Sequence, residues 1–186
     1  MKIVLVRHGE SESNARTTEH HDSPLTKTGI AQAKNLGIKL KKIKISAIYT
    51  SNLKRAKETA EIISKTIHVP IKASFDELNE YNKDNLKSRL KILLNSRLKR
   101  LKKLLKSILK DKAKEKTILI VADGITNRMI IGYLLNIPMK KHLLRFGQHN
   151  TGSSTLHWHK KYRNWSLLTM NEVSHLPRKL KEDKYI

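Results

Sequence analysis

A chain of 186 residues is long enough to bury the core of one compact domain, and its lack of cysteine excludes disulfide scaffolds, thiolate nucleophiles and thiolate metal sites. No apolar run approaches the roughly 20 residues of a membrane span, and residues 1–6 are too short an apolar stretch, without a cleavage site, for a signal peptide, so a soluble cytoplasmic protein is expected. The formal charge of +23 would draw any polyanion, whether nucleic acid, acidic membrane or phosphorylated substrate, while aromatics at 5% are too few for base-stacking platforms and argue against nucleic acid without excluding it.

Residues 2–6 are apolar and β-branched and stop at Arg7-His8-Gly9, the pattern of a buried strand that delivers polar side chains from its C-terminal end. Open α/β sheets hold their ligands there. Thr26 is a candidate N-cap for a helix with apolar positions Ile30, Ala33, Leu36, Gly37 and Leu40. A strand over residues 46–49 ends at Thr50-Ser51-Asn52, and a helix through Ala56, Thr59, Ala60 and Ile63 stops before Pro70. Residues 117–122 are a second buried strand, ending in the polar turn Asp123-Gly124, followed by a helix through Met129, Ile130, Tyr133 and Leu134. Residues 154–158 and 165–170 flank a turn-like Lys160-Lys161-Tyr162-Arg163-Asn164 and predict a β-hairpin. This alternation predicts a three-layer α/β fold: a mostly parallel sheet flanked by helices, with a late hairpin, in one domain over residues 1–186. Three polar turns converge at one sheet edge.

Residues 84–116 carry a leucine stripe at helical spacing, including Leu94, Leu98, Leu101 and Leu105, and predict one long amphipathic helix. Lys99, Lys102 and Lys106 lie outside the stripe, where an ordinary solvated face explains them better than membrane or nucleic-acid contact. Arg97 falls inside it and needs a partly buried place with an acidic or backbone partner.

An arginine beside a histidine is common by chance, so the chemistry has to be argued from the surroundings of His8. Transfer of a phosphoryl group through a histidine needs a neutral imidazole nitrogen in line with phosphorus, fixed cations on the non-bridging oxygens and a proton donor for the departing oxygen. Arg7 and Arg55 can supply guanidinium forks from the first and second polar turns, and Glu80 can be the donor, with Glu77 as its rival.

Val6-Arg7-His8-Gly9-Glu10-Ser11 with Asn14 resembles the signature of the histidine phosphatase superfamily, the phosphoglycerate mutase-like clan. Asp22-Ser23-Pro24-Leu25-Thr26 with Gly29 and Gln32-Ala33 is similar to that family's second block, and residues 48–56 with Thr59-Ala60-Glu61 to its third. Leu78-Asn79-Glu80 stands where the family carries its acid, residues 118–124 resemble the strand and turn that bring a second histidine, and Asn150 and residues 171–176 are similar to the closing segments. The resemblance implies that His8 is the phosphorylated nucleophile, Arg7 and Arg55 the phosphate clamp, Asn14 and Gly124 further phosphate-side groups, and Glu80 the acid. It implies no metal and no cofactor. The implied partner is a small phosphorylated substrate, with a phosphoprotein as an alternative. The short chain lacks room for the insertions with which mutases enclose a bisphosphate, which favours a phosphomonoesterase over mutase-type transfer.

Two departures stand out. Where the family has histidine before glycine, this chain has Asp123 before Gly124. An ionised carboxylate there would repel the transferring group, so impaired turnover is expected unless Asp123 is protonated, or points away while a neighbouring cation substitutes, and a catalytically silent phosphate-binding relative is the competing reading. After Glu80, Tyr81-Asn82-Lys83-Asp84 replaces the glycine-rich turn common in relatives.

Overall fold

The structure, a computed structural model, describes residues 1–79, 90–110, 115–138 and 145–181, and within 90–95 the backbone only. In chain order the elements are β1 (Lys2–Arg7), α1 (Glu12–Ala15), α2 (Lys27–Leu40), β2 (Ile45–Ser51), α3 (Lys54–Ile67), β3 (Ile71–Phe75), α4 (Leu90–Ile108), β4 (Thr117–Ala122), α5 (Gly124–Leu134), β5 (Ser153–His159) and β6 (Asn164–Glu172). The strands form one sheet in the order β3-β2-β4-β1-β5-β6. β3, β2, β4 and β1 run parallel, and the β5–β6 hairpin adds an antiparallel edge beside β1.

Strand alternation explains why helices cover both faces. In β1, Ile3 and Leu5 join the core that contains Leu101 and Leu105 of α4 and Met129 and Ile130 of α5. Val4 and Val6 point the other way, into a second core with Leu36 and Leu40 of α2 and Ala56, Ala60 and Ile63 of α3. With apolar side chains on both faces, β1 and β4 read as continuous hydrophobic runs, which is why they were legible as buried strands. Thr26 does cap α2, its side chain accepting from the Gly29 N–H at 3.0 Å. No helix among the described residues is long and apolar enough to cross a membrane.

Some expectations need correction. β3 was not anticipated: Ile71-Lys72-Ala73-Ser74-Phe75 alternates, but as a short edge strand its inward residues are only half-buried. The basic helix, expected to reach residue 116, ends at Ile108, passing into a turn at Leu109 and Lys110, and Lys116 is already beside β1, its carbonyl accepting from the Lys2 N–H at 2.8 Å. Leu101 and Leu105 are buried as expected, and Lys99 and Lys106 are exposed, but Leu98 is only half-buried and so is Lys102. The Lys102 ammonium lies over the Tyr133 ring, 5.3 Å from its centroid, so its stem covers apolar surface. The Leu94 side chain lies outside the described residues. Leu101→Ala or Leu105→Ala is expected to cost roughly 2 to 5 kcal/mol in urea unfolding, against about 0.5 or less for Lys106→Ala; equal losses would refute the placement of the stripe.

Candidate active site

β1 carries its polar end into the molecule with the backbone fully engaged. The His8 N–H donates to the Ala122 carbonyl at 3.0 Å, and the His8 carbonyl accepts from the Thr151 N–H and from Asn150 Nδ2, both at 3.1 Å. The next N–H, of Gly9, donates to Thr59 Oγ1 of α3 at 3.0 Å. The loop then runs so close to the start of α2 that a Cβ on Gly29 would lie 2.0 Å from the Glu10 carbonyl oxygen, and one on Gly9 2.6 Å from the Gly29 carbonyl oxygen. Only glycine fits at these two crossing points. Gly29→Ala is therefore expected to shift the His8 loop and lower stability by about 1 to 3 kcal/mol, checked by thermal unfolding; an unaffected melting curve would show that the loop yields freely.

Three side chains that lie far apart in sequence meet in the buried interior of this edge. His8 is 2%, Arg55 3% and Asp123 1% exposed. His8 Nδ1 lies 2.6 Å from the Gly9 carbonyl oxygen, a contact that needs a proton on Nδ1 and so leaves the lone pair of a neutral ring on Nε2. Arg55 Nε–H points at that Nε2 from 3.1 Å. The same Nε–H donates to Asp123 Oδ1 at 2.8 Å, and Arg55 Nη2 donates to Oδ1 at 2.5 Å. Asp123 Oδ1 itself stands 3.1 Å from His8 Nε2. The third guanidinium nitrogen, Nη1, is held by the His21 carbonyl at 2.5 Å.

Burial lowers the His8 pKa below its ordinary value, outweighing the opposing pull of Asp123, so the ring is neutral near pH 7. Burial alone would push the Asp123 carboxyl up, but the contacts at Oδ1, of which the Arg55 guanidinium is the one that persists beside a neutral His8, hold it well below the usual carboxylate range. The Arg55 guanidinium is the fixed charge of the cluster. Asp123 is thus turned toward Arg55 rather than away, and the pairing favours its ionised form over the protonated escape that the sequence left open. Its charge is paired with the very guanidinium expected to hold a phosphoryl group.

The other anticipated residues fall around this cluster. Arg7 donates Nη1–H to the Gln148 carbonyl at 2.6 Å and packs on Gly124, whose absent Cβ would lie 3.5 Å from Arg7 Cδ. Gly124 opens α5, so the arginine passes directly over the helix N-terminus. Asn14 belongs to the capping box of α1. Its Oδ1 accepts from the Ser11 N–H at 3.3 Å and from Asn150 Nδ2 at 3.0 Å, which leaves its Nδ2 as the group able to donate to a ligand. Arg55 is in the first turn of α3 rather than in the turn before it. Glu80 and the Tyr81–Asp84 stretch lie outside the described residues. Arg97 is buried and donates to the Asn79 carbonyl and to Thr126 Oγ1, so its anticipated partner is backbone and hydroxyl. Sequence reasoning missed Gln148, whose Oε1 accepts from Asn127 Nδ2 at 3.1 Å and whose Nε2 donates to the Gly152 carbonyl at 3.1 Å. No local pattern marks a glutamine in an irregular stretch as the support of an arginine 141 residues away.

The parallel part of the mixed sheet thus ends, at the carboxyl ends of its strands, in an oriented imidazole beside a buried guanidinium that is paired with Asp123, the edge at which open α/β sheets hold their ligands. The chain belongs to the histidine phosphatase superfamily, branch 1, whose family model matches residues 3–92 and 93–173. Over 87 residues it is 48% identical to the 2,3-bisphosphoglycerate-dependent phosphoglycerate mutase 2 of Lactobacillus johnsonii, a match covering 42% of this chain and 38% of that protein. The fold is similar to that of YhfR from Bacillus stearothermophilus, with a TM-score of 0.78, 23% identity and coverage of 94% of this chain and 98% of that one. It is also similar to a phosphoserine phosphatase of Entamoeba histolytica solved with phosphoserine, with a TM-score of 0.73, 24% identity and coverage of 95% and 99%.

Proposed function

We propose that the chain is a phosphoric monoester hydrolase that works through a phosphohistidine on His8, and that Asp123 slows it. The observation that carries this is the orientation of His8: Nδ1 tied to the Gly9 carbonyl at 2.6 Å and Nε2 facing the Arg55 guanidinium at 3.1 Å. A ring so held offers one lone pair in one direction, which is what in-line attack on phosphorus requires. In this reading Arg7 and Arg55 take the non-bridging oxygens, Asn14 Nδ2 and the N–H groups at Gly124 add donors, and Glu80 supplies the proton to the departing oxygen before activating water.

The substrates are small phosphomonoesters. The Entamoeba neighbour was solved with phosphoserine, which makes phosphoserine and phosphoglycerates the first compounds to assay, with phosphoproteins as a further class. The experiment is a screen of the purified chain for release of inorganic phosphate and for movement of phosphate between the hydroxyls of a phosphoglycerate. Release identifies a hydrolase, and internal movement a mutase. A second reading, a silent phosphate-binding relative, is favoured by the Asp123–Arg55 ion pair at 2.5 Å; it predicts ligand binding with neither reaction.

A further inference from the structure

Asp123 makes an unusual set of contacts for a buried carboxylate. All of its hydrogen bonding converges on one oxygen: Oδ1 receives Arg55 Nε–H at 2.8 Å and Nη2–H at 2.5 Å, and lies 3.1 Å from His8 Nε2. The other oxygen, Oδ2, is buried with no hydrogen-bond partner among the described residues. Reacting atoms in a near-attack complex stand about 3 to 3.5 Å apart, so Oδ1 occupies the shell around Nε2 in which phosphorus would have to lie. It also occupies the guanidinium donors that would hold a phosphoryl oxygen.

We propose that Asp123 is the resident anion of this pocket, a side-chain stand-in for the phosphoryl group that must leave before an oxyanion can enter. This rests on the reading of His8 and Arg55 as a phosphoryl site. It differs from plain charge repulsion in that the carboxylate and the ligand compete for one position and one set of donors.

The fold provides the carboxylate with a second place. Asp123 is the N-cap residue of α5, in extended backbone at φ −81° and ψ 158°, the conformation from which a short acidic side chain caps a helix. It makes no side-chain cap bond, because the side chain is turned to Arg55. Rotation about its side-chain torsions would carry the carboxylate from the guanidinium to the first-turn N–H groups of α5, which lack partners within the helix and carry the positive end of its dipole. Two arrangements of one residue thus compete: Arg55 bound with Oδ2 stranded, or α5 capped with the phosphoryl position vacated. Attachment to the chain gives the carboxylate a high effective concentration at Arg55. Only a ligand that gains more there than one carboxylate oxygen does will displace it, as a tetrahedral oxyanion with several terminal oxygens can.

Sulfate is a suitable probe, because it has the shape and charge of a phosphoryl dianion and cannot be hydrolysed. Calorimetric titration at neutral pH is expected to give a Kd at least tenfold tighter for Asp123→Asn than for the unaltered chain, and also for Asp123→Ser, which retains a capping side chain and empties the anion position. Arg55→Ala in the Asp123→Asn background should abolish the gain, separating the site from sulfate held by surface lysines. In a crystal of the unaltered chain with saturating sulfate, the Asp123 carboxylate should sit on the α5 N-terminus. Equal affinities of the folded variants and the unaltered chain, or sulfate bound beside His8 with Asp123 still on Arg55, would overturn the proposal. Failure of all the proteins to bind sulfate would overturn the phosphoryl-site reading as well, whereas failure to hydrolyse esters leaves these binding results standing.

Discussion

His8→Ala is expected to lower phosphomonoester turnover by at least about a thousandfold and to abolish any phosphoenzyme, measured where turnover is highest, in an Asp123→His background. Cysteine is absent, so no thiolate can take over, and a serine or threonine would need an adjacent base. His175, a half-buried histidine near this edge, is pushed down to about 4 by burial and by Lys39 and Lys181, and its Nε2 lies 3.0 Å from Thr151 Oγ1. It therefore faces a structural hydroxyl rather than Arg55. A thousandfold corresponds to roughly 4 kcal/mol of lost transition-state stabilisation, a reasonable size for removing the attacking atom while leaving the arginines to bind substrate. Quenching under alkaline conditions and measuring phosphate bound to protein would show whether the intermediate disappears with the imidazole. If His8→Ala retains the parent rate, water attacks bound substrate directly and the phosphohistidine is discarded.

The place of His8 was legible from the strand before it, which is apolar on both faces, while its role as nucleophile came from the resemblance of its surroundings to a family signature. Such a strand must be interior, and its end must then deliver polar groups to an edge where several turns meet. Arg55 was singled out by the resemblance of residues 48–56 to a family block, because its place on a helix would by itself suit an exposed charge; its burial in the structure, at the start of a helix whose Ala56, Ala60 and Ile63 face the sheet, came from the fold. The pairing of Arg55 with Asp123 was not visible. The two are 68 residues apart, and whether a carboxylate at the end of β4 repels ligand, takes a proton or salt-bridges depends on distances that no spacing rule contains. Lys102 was misplaced because helical periodicity assigns an angle, while exposure depends on a neighbour, here Tyr133 of α5. β3 escaped notice because an edge strand needs only half of its residues to be sheltered, so its alternation is weak. Arg97 was identified as anomalous by its place in the apolar stripe, yet its partners, the Asn79 carbonyl and Thr126, come from segments 18 and 29 residues away.

Asp123→His is expected to raise turnover at least tenfold over the unaltered chain. Two changes act together. The substitution releases Arg55 from its 2.5 Å ion pair, which returns a guanidinium to the phosphoryl oxygens, and it replaces an acceptor that repels the transferring group with an imidazole that can donate to it. One unit charge at ~4 Å and an effective dielectric of ~20 is worth roughly 4 kcal/mol, about three decades in rate. Part of that is already cancelled by Arg55, so tenfold is the smaller effect to look for. Asp123→Asn separates the two changes, because it removes the charge and the ion pair without adding a histidine. It should bind oxyanion well yet turn over more slowly than the histidine variant, by a difference carried in kcat rather than KM. If asparagine matches histidine, vacating the site is the whole effect and donation from position 123 contributes nothing. If the unaltered chain already works at a rate that the histidine variant does not exceed, Asp123 is no obstacle, and a carboxylate held ionised against Arg55 must then be part of the working site, with the phosphoryl group entering from the Arg7 side.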